Sequence, residues 1–224
     1  IHLLNTPDTI NKITELYQDT TTISELGLYV SVGTTVWNQV KDVLTEELLR
    51  ELSQVNLIDV PWEHQKSQED KNRRSITVEP NSIFDRIDRH IDSKKSIVEE
   101  ALAISIEQIW SVFWLDLETF RVNIHIDNPS VTSVLQVYLT NNESSPTIFY
   151  DVDESLIKTR DTPQKYYYED TKVPTIRHQF DCMQNTGYMM VNGKTQLHGN
   201  PDMYIGPNEQ RLSVYCHIIE KTKC

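Results

Sequence analysis

Residues 120–127 read Phe-Arg-Val-Asn-Ile-His-Ile-Asp, an alternation of apolar and polar side chains. This alternation predicts a half-buried β-strand, because successive side chains of a strand point to opposite faces. The polar face of the predicted strand ends in His125 and Asp127, and Asn128-Pro129 terminates the strand. An imidazole and a carboxylate two residues apart on a strand can hold one metal ion from the same side.

Period-two patterns recur through the second half of the chain. They predict strands over Val131–Thr140, Thr147–Tyr150, Tyr188–Val191, Thr195–His198 and Arg211–Ile219, with turns at Asn192-Gly193 and Gly206-Pro207-Asn208. Short strands separated by turns, following a helical half, predict an α+β fold with an antiparallel sandwich or jelly-roll barrel. Lys158–Thr175 interrupts the rhythm and is predicted to be a long loop.

The first half of the chain has a helical period instead. Apolar residues at three- and four-residue spacing predict helices after the cap-like Thr6-Pro7-Asp8, over Val36–Val55 and over Ser96–Phe113. We expect residues 1–113 to form a mainly helical region that buttresses a jelly-roll core over 114–224, within one compact domain.

Between the predicted helices, His64–Ser75 (HQKSQEDKNRRS) is polar and charged throughout. A solvated surface loop explains this composition. The alternative is a flap over the barrel whose Lys71, Arg73 and Arg74 meet a substrate, since binding residues concentrate on loops.

Composition limits the partners and the compartment. The 224 residues carry 21 Lys and Arg against 33 Asp and Glu, a net charge of −12, which disfavours nucleic acid as a partner. No stretch approaches the roughly 18 apolar residues of a membrane span, and Ile1–Asn11 lacks the basic start of a signal peptide. Three widely spaced cysteines indicate free thiols in a reducing compartment. We therefore expect a cytoplasmic protein.

The tripeptide His-Ile-Asp occurs twice, and only its context separates the copies. His90–Asp92 lies in the charge-dense, non-alternating segment Ile83–Ser96, where positions i and i+2 diverge, so we predict a solvated surface. His125–Asp127 lies at the end of an alternating strand, where both side chains share a face. The second copy is therefore the candidate metal ligand pair.

The remaining elements of a metal site follow later in the chain. A two-histidine, one-carboxylate iron centre needs a second imidazole on a neighbouring strand, and His198 ends a predicted strand. Arg211 and Ser213 share one face of the last strand, where a guanidinium and a hydroxyl can hold a carboxylate. His178 and His217 lack a following basic residue at suitable spacing and are predicted to be packed or surface histidines.

An ordered set of short motifs covers about residues 114–219: His125-Ile-Asp127-Asn-Pro, Gln136-Val-Tyr138-Leu-Thr, Thr147-Ile-Phe-Tyr150, Gly187-Tyr-Met-Met-Val-Asn192, His198-Gly and Arg211-Leu-Ser213. This set resembles the Fe(II)/2-oxoglutarate-dependent oxygenases, and within them the prolyl-4-hydroxylase-like branch. The order around 187–211 is also similar to uncharacterised oxygenases of large tailed marine phages. Two features depart from the family: Ser144-Ser145-Pro146 replaces the usual Gly-Gly, and the His-to-Arg interval is slightly longer than common.

The resemblance implies a role for six residues. His125, Asp127 and His198 would be the iron ligands and catalytic centre. Arg211 would pair with the distal carboxylate of 2-oxoglutarate, and Ser213 and Tyr138 would bond the same carboxylate.

The resemblance also implies an activity. The protein would use Fe(II), 2-oxoglutarate and O2 to hydroxylate a C–H bond, with release of succinate and CO2. Ascorbate would be a further cofactor. The substrate would be a prolyl or other peptidyl side chain, or a small molecule. Two alternatives stay open: a non-enzymatic jelly-roll module that binds a glycan or serves in a viral particle, and a cupin-type metal dioxygenase that does not use 2-oxoglutarate.

Overall fold

The computed structural model describes residues 29–30, 37–64, 72–102, 104–127, 131, 133–151, 157–159, 166–168, 174–191, 197–200 and 205–221. The predicted helix after Thr6-Pro7-Asp8, the turn Asn192-Gly193 and much of the two predicted loops lie outside these residues. Within the described ranges, no helix is long and apolar enough to cross a membrane.

The described residues form fourteen strands and three helices. The strands are β1 Tyr29–Val30, β2 Trp37–Lys41, β3 Glu63–His64, β4 Arg73–Ser75, β5 Ile106–Asp116, β6 Val122–His125, β7 Ser133–Tyr138, β8 Asn142–Asp151, β9 Ile157–Thr159, β10 Tyr166–Tyr168, β11 Thr175–Cys182, β12 Thr186–Val191, β13 His198–Asn200 and β14 Arg211–Glu220. The helices are α1 Glu46–Leu52, α2 Ile83–Asp92 and α3 Lys95–Leu102.

The strands pair antiparallel in two sheets. The larger sheet has the order β1-β2-β12-β7-β14-β5-β4-β3, and the smaller has the order β11-β8-β13-β6-β10-β9. From β5 to β8, and again from β11 to β14, the chain alternates between the two sheets, which is the winding of a double-stranded β-helix, or jelly roll. The predicted α+β fold with a jelly-roll core is confirmed.

The strands predicted in the second half are present, with four differences. Strand β11, Thr175–Cys182, was not predicted. His198 begins β13 instead of ending a strand. Strand β8 extends to both sides of the predicted Thr147–Tyr150. The predicted loop Lys158–Thr175 contains β10 and most of β9, which pair with each other and, through β10, with β6.

Both long helix predictions of the first half are wrong in part. Residues 37–41 of the predicted helix Val36–Val55 form β2, because they pair with β12 along their whole length, and only α1 is helical. The predicted helix Ser96–Phe113 ends at Leu102, and β5 follows. Ile, Val, Phe and Trp dominate β5, and these side chains fit a strand better than a helix.

The helices cover the outer face of the larger sheet. Thr45 and Ser82 cap α1 and α2, since their hydroxyls accept hydrogen bonds from the backbone N–H groups of Leu48 and Asp85. The apolar faces of α1 and α2 pack in one cluster with the outward side chains of the sheet, comprising Leu48, Leu52, Phe84, Ile87 and Ile91 from the helices and Phe113, Leu135, Val137, Val214 and Cys216 from the strands. The predicted helical buttress is present, although β5 runs across the predicted boundary between residues 113 and 114.

The two described cysteines are buried and free. Cys182 is on β11 of the smaller sheet, and Cys216 is on β14 of the larger sheet. Burial raises the pKa of the Cys182 thiol to about 11 and that of Cys216 to about 12. We expect iodoacetamide at pH 8 to label both in the native protein at least ~100-fold more slowly than free cysteine, whose thiol has a pKa near 8.5. Peptide mass mapping before and after denaturation measures this, and rapid native labelling of either residue would contradict the burial.

Candidate active site

His125 and His198 face each other across two paired strands. They are direct partners in the register of β6 and β13, and their ring centroids lie 4.5 Å apart. On its other side, His198 pairs with Phe149 of β8, whose ring stacks on the imidazole at a centroid distance of 5.4 Å. Strand register thus brings together two imidazoles that are far apart in sequence.

Asp127 completes the cluster from the chain just beyond β6. Its Oδ1 lies 3.3 Å from Nε2 of His125, and its Oδ2 lies 3.6 Å from Nε2 of His198. One ligand atom from each residue lies within 4.8 Å of the others. Ligands that share an octahedral divalent ion with ~2.1 Å bonds lie about 3 Å apart, so the cluster needs only a small contraction.

The donor set fits Fe(II). Two imidazoles and one carboxylate on one side of an ion form the facial triad of non-haem iron sites, which leaves the remaining positions open. The contact of His125 Nδ1 with the carbonyl oxygen of Asn123, at 2.8 Å, directs Nε2 toward Asp127. This is the backbone contact that orients metal-binding histidines in other proteins.

The carboxylate of Asp127 is held ionised by its neighbours. Burial favours the protonated form, but the electrostatic interaction with His198 and hydrogen bonding from His125 hold the pKa of Asp127 well below its usual range. The Tyr215 hydroxyl, on β14, donates a hydrogen bond to Oδ2 of the same carboxylate. Burial and the charge of Asp127 raise the pKa of Tyr215, so the phenol keeps the proton that it donates.

The cluster lies in a cleft between the two sheets, and Arg211 lies in the same lining. The cleft is lined by Arg73, Trp114, Val122, His125, Asp127, Gln136, Pro146, Thr147, Tyr188, His198, Gly199, Asn200, Arg211, Tyr215 and His217. Arg211 is buried, and its Nη1 donates to the carbonyl oxygen of Ser145 at 2.9 Å. The structure therefore places four of the six predicted site residues around one cleft.

The other two predicted residues lie behind this lining. Ser213 accepts a hydrogen bond from Gln136 at 3.2 Å, and the Tyr138 hydroxyl donates to Thr147 at 2.7 Å. Both are fully buried, and burial raises the pKa of the Tyr138 phenol. Gln136 and Thr147, which bond to Ser213 and Tyr138, line the cleft in their place. A direct contact of Ser213 and Tyr138 with a co-substrate stays a prediction.

Sequence reasoning missed several lining residues. Gln136 and Tyr188 are bonded to each other, since the Tyr188 hydroxyl donates to the Gln136 side chain at 2.7 Å. Trp114, on β5, also lines the cleft. These residues could have been identified from the alternation of side chains along β5, β7, β12 and β14, once the register shows which side chains point into the cleft.

The first copy of the tripeptide has no part in the site. His90 and Asp92 lie on α2, and the His90 ring contacts the carbonyl oxygen of Val43 at 2.9 Å. Asp92 is exposed. Arg177 forms an ion pair with Asp151 at 3.4 Å and is not part of the cleft lining.

Comparison with known proteins identifies the fold. No family model and no curated protein sequence matches this chain. A Pseudomonas putida prolyl-4-hydroxylase structure superimposes with a TM-score of 0.60 at 12% identity, over 96% of this chain and 100% of that one.

Two further solved structures carry ligands. A prolyl hydroxylase from Trichoplax adhaerens, in complex with a hypoxia inducible factor peptide, gives a TM-score of 0.55 at 9% identity, covering 96% of this chain and 94% of that one. HygX from Streptomyces hygroscopicus, with nickel, 2-oxoglutarate and hygromycin B bound, gives 0.53 at 10% identity, covering 83% and 84%. At these identities the likeness is one of fold: the chain has the jelly-roll fold of the prolyl-4-hydroxylases and other 2-oxoglutarate–iron oxygenases.

Proposed function

We propose that this protein is an Fe(II)- and 2-oxoglutarate-dependent dioxygenase that hydroxylates a C–H bond. The observation that carries the proposal is the convergence of His125, Asp127 and His198 in a cleft that Arg211 also lines. A non-enzymatic jelly-roll module has no need of this convergence. The cationic Arg211 in the cleft favours an enzyme that uses a carboxylate co-substrate over a cupin-type dioxygenase.

In the proposed reaction, one atom of O2 enters succinate and the other enters the hydroxyl group of the product, while 2-oxoglutarate loses CO2. Fe(II), when bound, supplies the activation of O2. The protein binds it through only three side chains, so that positions stay open for the co-substrate and O2. Ascorbate as an accessory reductant stays a prediction.

The protein's own residues hold and orient the reactants. The Phe149 ring and the Asn123 carbonyl fix the two imidazoles, and the Tyr215 hydroxyl fixes the carboxylate. Three of the five N–H groups of Arg211 donate to Asp116 and Ser145. One N–H group of Nη1 and one of Nη2 are left for the distal carboxylate of 2-oxoglutarate.

The proposed target is a prolyl or other peptidyl side chain. The lining of the cleft includes the aromatic Trp114 and Tyr215, which suit an uncharged, partly apolar side chain. A net charge of −12 makes a polyanionic target unfavourable. The structural neighbours with a peptide and with hygromycin B support both a peptide and a small molecule as substrate classes, and mass spectrometry for a hydroxylated product separates them.

The test is anaerobic titration with Fe(II) and then 2-oxoglutarate, in which a weak visible charge-transfer band should appear. Replacing Arg211 by Ala should raise the Kd for 2-oxoglutarate at least ~30-fold, because a buried charge partner is removed. The affinity for the metal alone should stay within about threefold of wild type. Calorimetry measures both constants.

Arg177→Ala is the matched control, since it removes an arginine whose ion pair lies outside the cleft. It should change neither constant. Equal loss of metal and 2-oxoglutarate affinity in folded Arg211→Ala would show that Arg211 has a structural role instead, and a wild-type protein that binds no 2-oxoglutarate would disprove the proposed function.

A further inference from the structure

Three adjacent strands place a carboxylate between two guanidinium groups. Asp116, the last residue of β5, is the direct register partner of Arg73 on β4 and of Arg211 on β14. Cross-strand partners have side chains on the same face of a sheet, and here that face lines the cleft. Both arginines belong to the lining.

The carboxylate of Asp116 is bonded by both arginines. Arg73 donates from Nε to Oδ1 and from Nη2 to Oδ2, the latter at 2.9 Å. Arg211 donates from Nε and Nη2 to Oδ2, at 2.8 and 2.6 Å. The Asp116 side chain is fully buried, and that of Arg211 is 4% exposed.

These contacts keep the Asp116 carboxylate ionised. Burial opposes the ionised carboxylate, but the guanidinium groups of Arg73 and Arg211 outweigh it and hold the pKa of Asp116 below its usual range. An isolated pair of Asp116 and Arg211 would be neutral. With Arg73, the group of three carries one net positive charge.

Arg73 is held firmly in this position. Its guanidinium lies 4.2 Å from the ring centroid of Phe120 and 4.8 Å from that of Trp114. The preceding residue, Asn72, donates from its side-chain amide to the carbonyl oxygen of Glu118 and to the Thr119 hydroxyl, both at 2.7 Å. The start of β4 is thus tied to the chain that follows β5.

We infer that Arg73 determines the affinity of this protein for a dicarboxylate co-substrate. Asp116 holds the Arg211 guanidinium in place, and the positive charge of Arg73 compensates the negative charge of Asp116. The positive charge of Arg211 is therefore left uncompensated toward the distal carboxylate of 2-oxoglutarate. Asp116 is the positioning residue and Arg73 is its counter-charge. This inference rests on the proposed function.

The test compares two ligands of equal chain length in the Fe(II)-loaded protein under argon. 2-Oxopentanoate has the metal-binding end of 2-oxoglutarate and lacks the distal carboxylate. Arg73→Gln should raise the Kd for 2-oxoglutarate at least ~10-fold and change the Kd for 2-oxopentanoate by less than about threefold. Arg74→Gln, the next residue on β4 with its side chain on the opposite face, is the matched control and should change neither.

A double variant separates charge compensation from a structural role. In Arg73→Gln/Asp116→Asn, Arg211 has no neighbouring carboxylate and the group again carries one net positive charge, so the affinity for 2-oxoglutarate should return to within about threefold of wild type. The buried group then carries the same net charge as the wild-type group of three, so the double variant supplies the test even if the single variant does not fold. Circular dichroism and thermal unfolding check the fold of each protein.

Each outcome has one meaning. Unchanged binding of 2-oxoglutarate by folded Arg73→Gln, an equal loss for both ligands, or no recovery in the double variant would overturn the inference and leave the proposed function standing. Failure of the wild-type protein to bind 2-oxoglutarate would instead disprove the proposed function.

Discussion

Replacing Asp127 by Ala is expected to weaken divalent metal binding by more than ~100-fold, because the loss of a direct ligand exceeds the 10- to 100-fold cost of losing an outer-shell partner. The carboxylate lies between Nε2 of His125 and Nε2 of His198, so its removal leaves two neutral imidazoles without the anionic ligand. Titration with Co(II) or Mn(II), followed by optical or electron paramagnetic resonance spectra, measures the affinity without any reaction taking place.

The chain contains its own control for this experiment. Asp92→Ala changes the same tripeptide, His-Ile-Asp, on the exposed side of α2, and should leave metal affinity unchanged. His198→Ala should match Asp127→Ala, and His178→Ala should match the wild type. Retention of stoichiometric, tight binding by folded Asp127→Ala would mean that the metal site has other ligands.

Replacing Gly187 by Ala is expected to lower the free energy of unfolding by at least ~3 kcal/mol, the range of severe overpacking, or to prevent folding. A Cβ atom at this position would lie 1.8 Å from the carbonyl oxygen of Gln136. Gly187 is paired on both sides, with Val137 on β7 and Val40 on β2, so its backbone cannot retreat without breaking ladder hydrogen bonds.

Gly206→Ala is the comparison for this change. Its new Cβ would approach only the carboxylate end of the Glu209 side chain, at 3.1 Å or more, and that side chain can move. We expect a loss of less than ~1 kcal/mol. Urea unfolding of both variants measures the difference, and a Gly187→Ala protein as stable as Gly206→Ala would show that β7 and β12 do not pack as described.

The second half of the chain could be predicted from its period of two. The alternation around β6 predicted the face of His125, and the short alternating strands that follow predicted the jelly-roll class. The first half could not be predicted as well. Residues 106–113 contain apolar side chains at spacings compatible with both a helix and a strand, and only the pairing of β5 with β14 selects the strand.

The metal ligands and the arginines differ in how visible they are in the sequence. His125 and Asp127 form a local motif, so spacing identifies them. Asp116 becomes recognisable only when β4 and β14 are aligned on either side of β5, since its partners Arg73 and Arg211 lie far away in both directions. Register between distant strands is a property of the whole sheet, and a local pattern does not contain it.

Strand β5 also sets a limit on how far the chain can be shortened for engineering. It pairs with β14 from Ile106 to Asp116, and β14 carries Val214 and Ile218 on one face. A fragment that started at residue 114 would expose most of β14 as a long apolar edge, which invites pairing with other chains and aggregation. A shortened version therefore has to begin before Ile106 and keep the helices that cover Phe113.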